Sequence, residues 1–262
     1  MLNLSIISVT FNNFEDLLLT HKSIVGCGLI DEIDFFVVNG GTCEKTKNFL
    51  IENKIRNVSE PDDGISDAFN KGIAGALKDN IIFLNSGDSL LKADYIKKAV
   101  NFLDSNEQYG FTYGQIIFRD AIAGDIVIKP HGGLVGQGMP YPHQTMIYRK
   151  SVFEKVGKFK LDYRIAMDYE HVCRMQVNKI KGKYIDDVPV SILMDGSGVS
   201  VSNEIKGIKE NYRALQENGL LAENKTAFYI KLTKYYGRKT LMVLGLSKLL
   251  AIFKKLKYET YQ

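Results

Sequence analysis

Leu-Ser-Ile-Ile-Ser-Val (Leu4–Val9), followed by Thr-Phe-Asn-Asn (Thr10–Asn13), is a short β-rich apolar run that ends in a polar loop. Leu17, Leu18 and Ile24 come next at helical spacing, so the order is strand, loop, helix. The unit recurs at Ile33–Val38, which ends in Asn39-Gly40-Gly41-Thr42, with Thr42 placed to cap a helix running through Asn53. A third copy joins Ile55–Ser59, the loop Glu60-Pro61-Asp62-Asp63-Gly64 and a helix from Ser66 to Leu77. A fourth begins at Ile81–Leu84 and runs into Asn85-Ser86-Gly87-Asp88. Four such repeats in about 100 residues predict an α/β fold, a parallel sheet with helices on both faces. Ligands of such sheets sit beyond the carboxyl ends of the strands. The four loops Thr10–Asn13, Asn39–Thr42, Glu60–Gly64 and Asn85–Asp88 are therefore the expected site.

The second half reads differently. A helix near Ala93–Leu103 precedes two strands within Tyr109–Lys129, joined by a loop holding Gly124 and Asp125. A Gly-rich loop (His131–Gly138), a strand (His143–Arg149), an amphipathic helix (Asp168–Ile180) and a strand (Tyr184–Met194) follow, and these strands are expected to extend the first sheet. With no Pro- or Ser-rich linker before about residue 200, residues 1–202 read as one domain and 203–262 as a tail with helices near Glu204–Glu217 and Thr226–Lys257.

With 262 residues, 45% apolar and 24% charged, and with 14 Phe and 14 Tyr, the chain has ample material for a large core, which excludes disorder. Cys27, Cys43 and Cys173 have neither zinc-site spacing nor disulfide density, so a reducing cytoplasm is expected. Neither a leader nor an apolar run of the roughly 20 residues that a membrane span needs is expected. Charge is uneven. Lys225–Tyr258 carries nine basic residues and no acidic one, which leaves net −5 on the rest of a chain whose net charge is +4. A basic, aromatic tail on an acidic body points to anions, either lipid head groups or nucleic acid.

Asp88 would emerge at the carboxyl edge of the fourth strand, where a lone carboxylate can share a hard divalent cation with phosphate oxygens. A turn or helix cap is its other reading.

The succession S-I-I-S-V-T-F-N-N (5–13), F-F-V-V-N-G-G-T (35–42), S-E-P-D-D-G-I-S-D-A-F-N-K-G-I (59–73), F-L-N-S-G-D (83–88), P-H-Q-T-M-I-Y-R-K-S-V-F-E-K-V-G-K-F (142–159) and A-M-D-Y-E-H-V-C-R-M (166–175) resembles the family 2 glycosyltransferases of GT-A fold. The bacterial members that build O-antigen, capsule and colanic-acid repeat units are the most similar. The resemblance implies a Rossmann-like central mixed sheet flanked by helices and an inverting transfer from a nucleotide-sugar, with Mg²⁺ or Mn²⁺ bridging the diphosphate. It places Thr10, Phe11 and Asn12 by the base and ribose, and Asn39 where the family usually has an Asp. Asp62 and Asp67 fall on its E-P-D-x-G-I-x-D-A segment. Lys71 follows on the same helix, as a phosphate contact or a solvated charge. Asp88 matches the last Asp of a D-x-D-type metal motif in which Ser86 and Gly87 replace acidic positions.

The same resemblance makes Asp168 the base that takes the acceptor's proton, with an N-cap as its structural alternative and Glu170 as understudy. His143 and Gln144 would contact the acceptor or a phosphate, or pack in the core. Gly196-Ser197-Gly198-Val199-Ser200 resembles a loop near the family's active site. The implied partners are a nucleotide-sugar, a UDP-sugar first among them, and a polyprenyl-diphosphate-linked or oligosaccharide acceptor; a homo-oligomer is left open.

Phe228, Ile230, Leu232, Tyr235, Tyr236 and the leucines from Leu241 to Leu256 interleave with lysines over about 30 residues, a pattern suited to a lipid interface. The expected place is the cytoplasmic face of the inner membrane, and packing on the domain or a dimer partner is the alternative. No motif supports nucleic acid. Two rival functions are a sugar-nucleotide nucleotidyltransferase, whose G-x-G-T-R is absent here, and a noncatalytic nucleotide- or carbohydrate-binding module.

Overall fold

The computed structural model describes residues 1–133, 135–196 and 203–261. Among them the main sheet has seven strands. β1 (Leu4–Thr10), β2 (Asp34–Asn39), β3 (Arg56–Ser59) and β4 (Asn80–Phe83) run parallel, with β1 between β2 and β4. β9 (Ile147–Arg149) lies antiparallel beside β4, and β6 (Phe111–Tyr113) and β10 (Gly182–Tyr184) complete the order β10-β6-β9-β4-β1-β2-β3. The sheet is therefore mixed. Its central strands are covered on both faces, which is why they read as continuous apolar runs. Ile7, Phe36, Val38 and Phe83 enter one core, while Leu4, Ile6, Phe35 and Val37 enter the other, as strand alternation requires.

Helices α1 (Phe14–Gly26), α2 (Glu44–Glu52) and α4 (Asp94–Ser105) cover the second core; α3 (Ile65–Gly75), α5 (Lys150–Val156) and α6 (Met167–Val177) cover the first. Cys43, not Thr42, is the N-cap of α2, and its side chain makes no capping bond.

Three expectations are corrected. Only β6, β9 and β10 extend the first sheet, while β5 (Ser89–Leu90), β7 (Ile116–Asp120), β8 (Gly124–Ile128), β11 (Ile192–Asp195) and β12 (Glu259–Thr260) form a second one. Tyr109–Lys129 thus holds three strands, broken at Gly114, whose backbone presses on the Tyr95 ring and is fixed by Thr145. Residues 143–145 form a 3-10 turn instead of the start of a strand.

The third correction concerns the division at residue 202. α7 (Glu204–Glu217) inserts Ala214 and Leu215 into the first core, and α8 (Leu221–Val243) packs on α7 and on the turn Val135–Gln137 with Phe228 buried. The tail's first half packs into the same core as the sheet. α9 (Ser247–Lys257) carries the exposed apolar residues Leu249, Ile252, Phe253 and Leu256.

Glu210 of α7 accounts for this docking. Its buried carboxylate accepts the backbone N–H groups of Arg164 (3.1 Å), Ile165 (2.9 Å) and Ala166 (2.8 Å), the residues that lead into α6. Glu210→Ala leaves three donors without their acceptor and is expected to cost roughly 2–3 kcal/mol in urea unfolding, with Glu210→Gln losing less. A loss under about 0.5 kcal/mol would show that the contact does not hold the segment.

Candidate active site

The register aligns the carboxyl ends of the first strands: Thr10 lies opposite Asn39, and Asn39 opposite Ser59. The loops beyond them are tied by the polar side chains that the sequence marks. Asn12, in the left-handed region at φ 52°, accepts the N–H groups of Thr42 (2.8 Å) and Cys43 (3.1 Å), closing the β1 loop onto the β2 loop. Buried Asn39 accepts from Gly41 N–H (3.2 Å) and donates to Ser59 Oγ (3.3 Å). Thr10 Oγ1 donates to Asn13 O (3.2 Å). Gly40 passes so close to Asp62 that a Cβ there would fall on the carboxylate, while Asp62 Oδ1 accepts Gly64 N–H (3.0 Å). Phe11 projects from this rim, 69% exposed.

Asp67 and Lys71 stand at the start of α3. Asp67 accepts Asp63 N–H (3.1 Å), and its carboxyl is held below the usual range by that bond and by the Lys71 charge, against a smaller opposing effect of burial. Lys71 donates to Pro61 O (2.6 Å) and pairs with Glu60 and Asp67, each at 3.1 Å. Its ammonium therefore clamps the β3–α3 loop, and a free phosphate contact is not the arrangement found.

The segment before α6 docks on this same loop. Asn70 of α3 donates to Phe159 O (2.8 Å) and accepts Phe159 N–H (3.0 Å), Ser66 Oγ donates to Tyr163 O (2.8 Å), and Arg164 pairs with Asp63 (3.1 Å). Asp168 follows in the first turn of α6, half-buried, where the helix N-terminus favours a carboxylate. One of its oxygens accepts Tyr169 N–H (2.7 Å); the other has no hydrogen-bond partner among the described residues.

His143 lies below it, 7% exposed, with Nε2 unpartnered among the described residues and its ring stacked at 5.7 Å on both Phe69 and Phe83. Burial lowers its proton affinity and the Asp168 charge raises it, the former prevailing. It is a packed, neutral imidazole under Asp168. Glu170 is fully buried and held by Arg174 (2.8 Å) and Lys160 (3.0 Å), which removes it as an alternative base.

Asp88 departs from its expected place. It is 5% exposed, with Oδ2 accepting Asn85 N–H (3.2 Å) and Oδ1 accepting Asp195 N–H (3.3 Å), and Gln144 donates to it as well. It ties the β4 loop to the end of β11. Ser86 Oγ likewise turns inward, donating to Val9 O (2.9 Å). Among the described residues no three His, Cys, Asp or Glu side chains gather as a metal site. A cation held by Asp88, Mg²⁺ or Mn²⁺, does not fit this arrangement, because the carboxylate is buried and each of its oxygens is turned onto a backbone N–H. The reason is tertiary, since β11 supplies an N–H from more than a hundred residues away. Residues 197–200 of the loop after β11 lie outside the described residues.

Sequence reasoning missed Glu210, Asp195 and Arg164, whose partners are backbone groups or distant loops that carry no local pattern.

A mixed sheet with helices on both faces and its loops gathered at the carboxyl edge of the parallel strands is the architecture of the GT-A glycosyltransferases. The sequence model of glycosyl transferase family 2 matches residues 5–171, and the chain belongs to that family. An uncharacterized glycosyltransferase of Mycobacterium tuberculosis is 31% identical over 177 residues, 65% of this chain and 67% of that protein. A PGL/p-HBAD biosynthesis glycosyltransferase of Mycobacterium bovis is 25% identical over 154 residues, 55% and 57% of the two chains. Among solved structures, S. aureus TarS 1-349 in complex with UDP-GlcNAc superposes with a TM-score of 0.65 at 14% identity, over 95% of this chain and 79% of that one. TarS 1-349 alone matches over 81% of this chain and 65% of its own length, at 0.59 and 14% identity. The mannosyltransferase PcManGT from Pyrobaculum calidifontis, in complex with GDP-Man and Mn²⁺, gives 0.61 at 13% identity, over 97% and 80%. These likenesses establish the fold.

Burial, reinforced by the neighbouring Asp195 charge, pushes the Asp88 carboxyl up to about 7 despite the hydrogen bonds that oppose it. The folded protein thus binds this proton more tightly than the unfolded chain does. The resulting stabilisation is full below about pH 4 and is lost as pH rises through about 7. Asp88→Asn is expected to flatten that slope, read as urea midpoints at about pH 5 and about pH 8. An unchanged slope would refute the assignment.

Proposed function

We propose that this chain is an inverting glycosyltransferase that moves a sugar from a UDP-sugar to a polyprenyl-diphosphate-linked or oligosaccharide acceptor in bacterial surface-polysaccharide assembly. The observation that carries the reading is Asp168, in the first turn of α6 with one carboxylate oxygen unengaged among the described residues, on a segment bonded to the β3–α3 loop. Family membership supports sugar transfer. The UDP-GlcNAc complex of TarS supports the donor class, and the PGL/p-HBAD biosynthesis relative supports a glycosyltransferase in a bacterial biosynthetic route.

In this reading the donor nucleotide lies over the rim formed by the β1, β2 and β3 loops. Phe11, exposed on that rim, stacks on the base, because a planar π-face suits a nucleobase whatever its hydrogen-bond pattern. Asn12, Asn39, Asp62, Asp67 and Lys71 set the shape of the rim through their loop bonds. The Asp168 carboxylate takes the proton of the acceptor hydroxyl while that oxygen bonds to the anomeric carbon and the bond from that carbon to the diphosphate oxygen breaks. The electron pair leaves with the nucleoside diphosphate, and the proton stays on Asp168. His143, packed beneath and neutral, supports the carboxylate without competing for the proton.

Attachment to the cytoplasmic face of the inner membrane is part of the proposal. No helix among the described residues is long and apolar enough to cross a membrane. Instead α9 exposes Ile252, Phe253 and Leu256 beside Lys248 and Lys257, with Lys254 paired to buried Asp120, an arrangement that suits a helix lying in an anionic interface.

Asp168→Asn is expected to lower turnover by about 10²–10⁴-fold while leaving UDP affinity within about twofold, because the base acts on the acceptor alone. Nucleotide release in the presence of acceptor, with calorimetry of UDP, is the measurement, and turnover within about threefold of the parent would remove Asp168 from the mechanism. A double substitution, Phe253→Ser with Leu256→Ser, is expected to reduce sedimentation with phosphatidylglycerol vesicles severalfold without shifting the melting temperature, since both side chains are already in water. Undiminished sedimentation would place the membrane contact elsewhere.

A further inference from the structure

The tail helix α8 packs beside the candidate active site, on a turn that is also bonded to α6. It lies against the turn Val135–Gln137 and the residues that flank it so closely that side chains are excluded. A Cβ at Gly136 would overlap the Asn224 amide, and a Cβ at Gly138, where φ is +111°, would lie 2.8 Å from Lys231 Nζ. The other side of this turn is bonded to α6, because Tyr169 Oη, one residue beyond Asp168, donates to Val135 O (2.7 Å). Lys231 therefore lies against the same turn that α6 grips through Tyr169, close enough to Asp168 for its charge to be felt. With its amide turned so that both groups are satisfied, Asn211 of α7 donates to Gly207 O (3.2 Å) and accepts from Lys231 Nζ (2.8 Å).

Among the described residues that leaves two N–H donors of the ammonium without an acceptor. Among the described residues no carboxylate lies within ion-pair distance of Lys231, although Asp168 and Glu204 are near enough for their charges to act on it; burial prevails over both and lowers its proton affinity. The contrast with Lys71, which is saturated by three loop oxygens, is chemical. His131, whose Nδ1 is buried without a partner among the described residues, faces the same charge, since Lys231 and Lys257 both act on it. A half-buried ammonium that has spare donors and no counter-ion among the described residues is unfavourable by itself and becomes favourable when an anion arrives.

We propose that Lys231 binds a phosphate of the acceptor beside Asp168, making the tail helix a wall of the acceptor site; this rests on Asp168 being the base. The position selects the acceptor's phosphate over the donor's. Lys231 stands across the turn from α6, near enough to Asp168 for the two charges to act on each other, whereas the donor rim is formed by the β1, β2 and β3 loops, whose own lysine is engaged. α8 also continues into α9, the helix with exposed apolar residues, so a diphosphate whose chain lies in the bilayer would meet Lys231 from the membrane side.

The full chain is titrated calorimetrically with farnesyl diphosphate, inorganic pyrophosphate and UDP. Lys231→Met, which keeps the apolar stem, is expected to weaken farnesyl diphosphate and pyrophosphate binding at least about tenfold while UDP affinity stays within about twofold. Lys231→Arg is expected to retain most of the affinity, which separates lost charge from lost packing. Undiminished farnesyl diphosphate binding by Lys231→Met overturns the proposal, and so does a parallel loss of UDP affinity, which would assign the lysine to the donor. Sedimentation with phosphatidylglycerol vesicles should be unaffected by Lys231→Met; a fall in step with diphosphate binding overturns the proposal in favour of a bulk-lipid contact. Failure of the parent chain to bind UDP would instead count against the glycosyltransferase reading.

Discussion

The placement of the segment that bears the candidate base depends on one carboxylate. Glu210 collects the N–H groups of Arg164, Ile165 and Ala166 just before the helix that bears Asp168 begins. Three successive backbone donors in an irregular stretch would otherwise have to face water or remain unsatisfied in the interior, and an ionised acceptor makes the stronger kind of hydrogen bond. Because the carboxylate comes from α7, the position of the candidate base is set by a helix outside the residues that the family match covers.

From that anchor the two halves of the site come together through backbone-directed bonds. Asn70 grips both polar groups of Phe159, Ser66 binds Tyr163, and Arg164 reaches Asp63. The donor rim is built the same way, with Asn12, Asn39 and Asp62 each bonded to the N–H of a neighbouring loop residue. Several motif residues thus act by shaping loops. An amide at position 39 is suited to that role, since it donates to Ser59 while accepting from Gly41 and a carboxylate would only accept.

Burial divides the acidic residues by function. Glu170 and Asp88 are turned inward, the first neutralised by Arg174 and Lys160, the second kept by its surroundings close to the protonated form. Asp168 keeps partial exposure and a free oxygen among the described residues. A carboxylate meant to take a proton needs access and spare acceptor capacity, and of these three only Asp168 has both.

By itself the sequence determined the repeating strand–loop–helix units, because the two-residue alternation of Ile6 and Ile7 or Val37 and Val38 is a local consequence of strand geometry. It also determined the edge at which the loops gather, since parallel strands must all end on the same side. The motif order in residues 5–175 carried the family. Tertiary structure alone decided that β7, β8 and β11 leave for a second sheet, because the break at Gly114 comes from contact with Tyr95, nineteen positions earlier in the chain. It decided that Asp88 is buried, through an N–H from β11, and that the tail belongs partly to the core. It alone set Lys231 against the turn that α6 grips through Tyr169. An i to i+4 pattern announces which face of a helix is apolar, but a single lysine or glutamate announces nothing about the distant backbone that it will meet once the chain has closed.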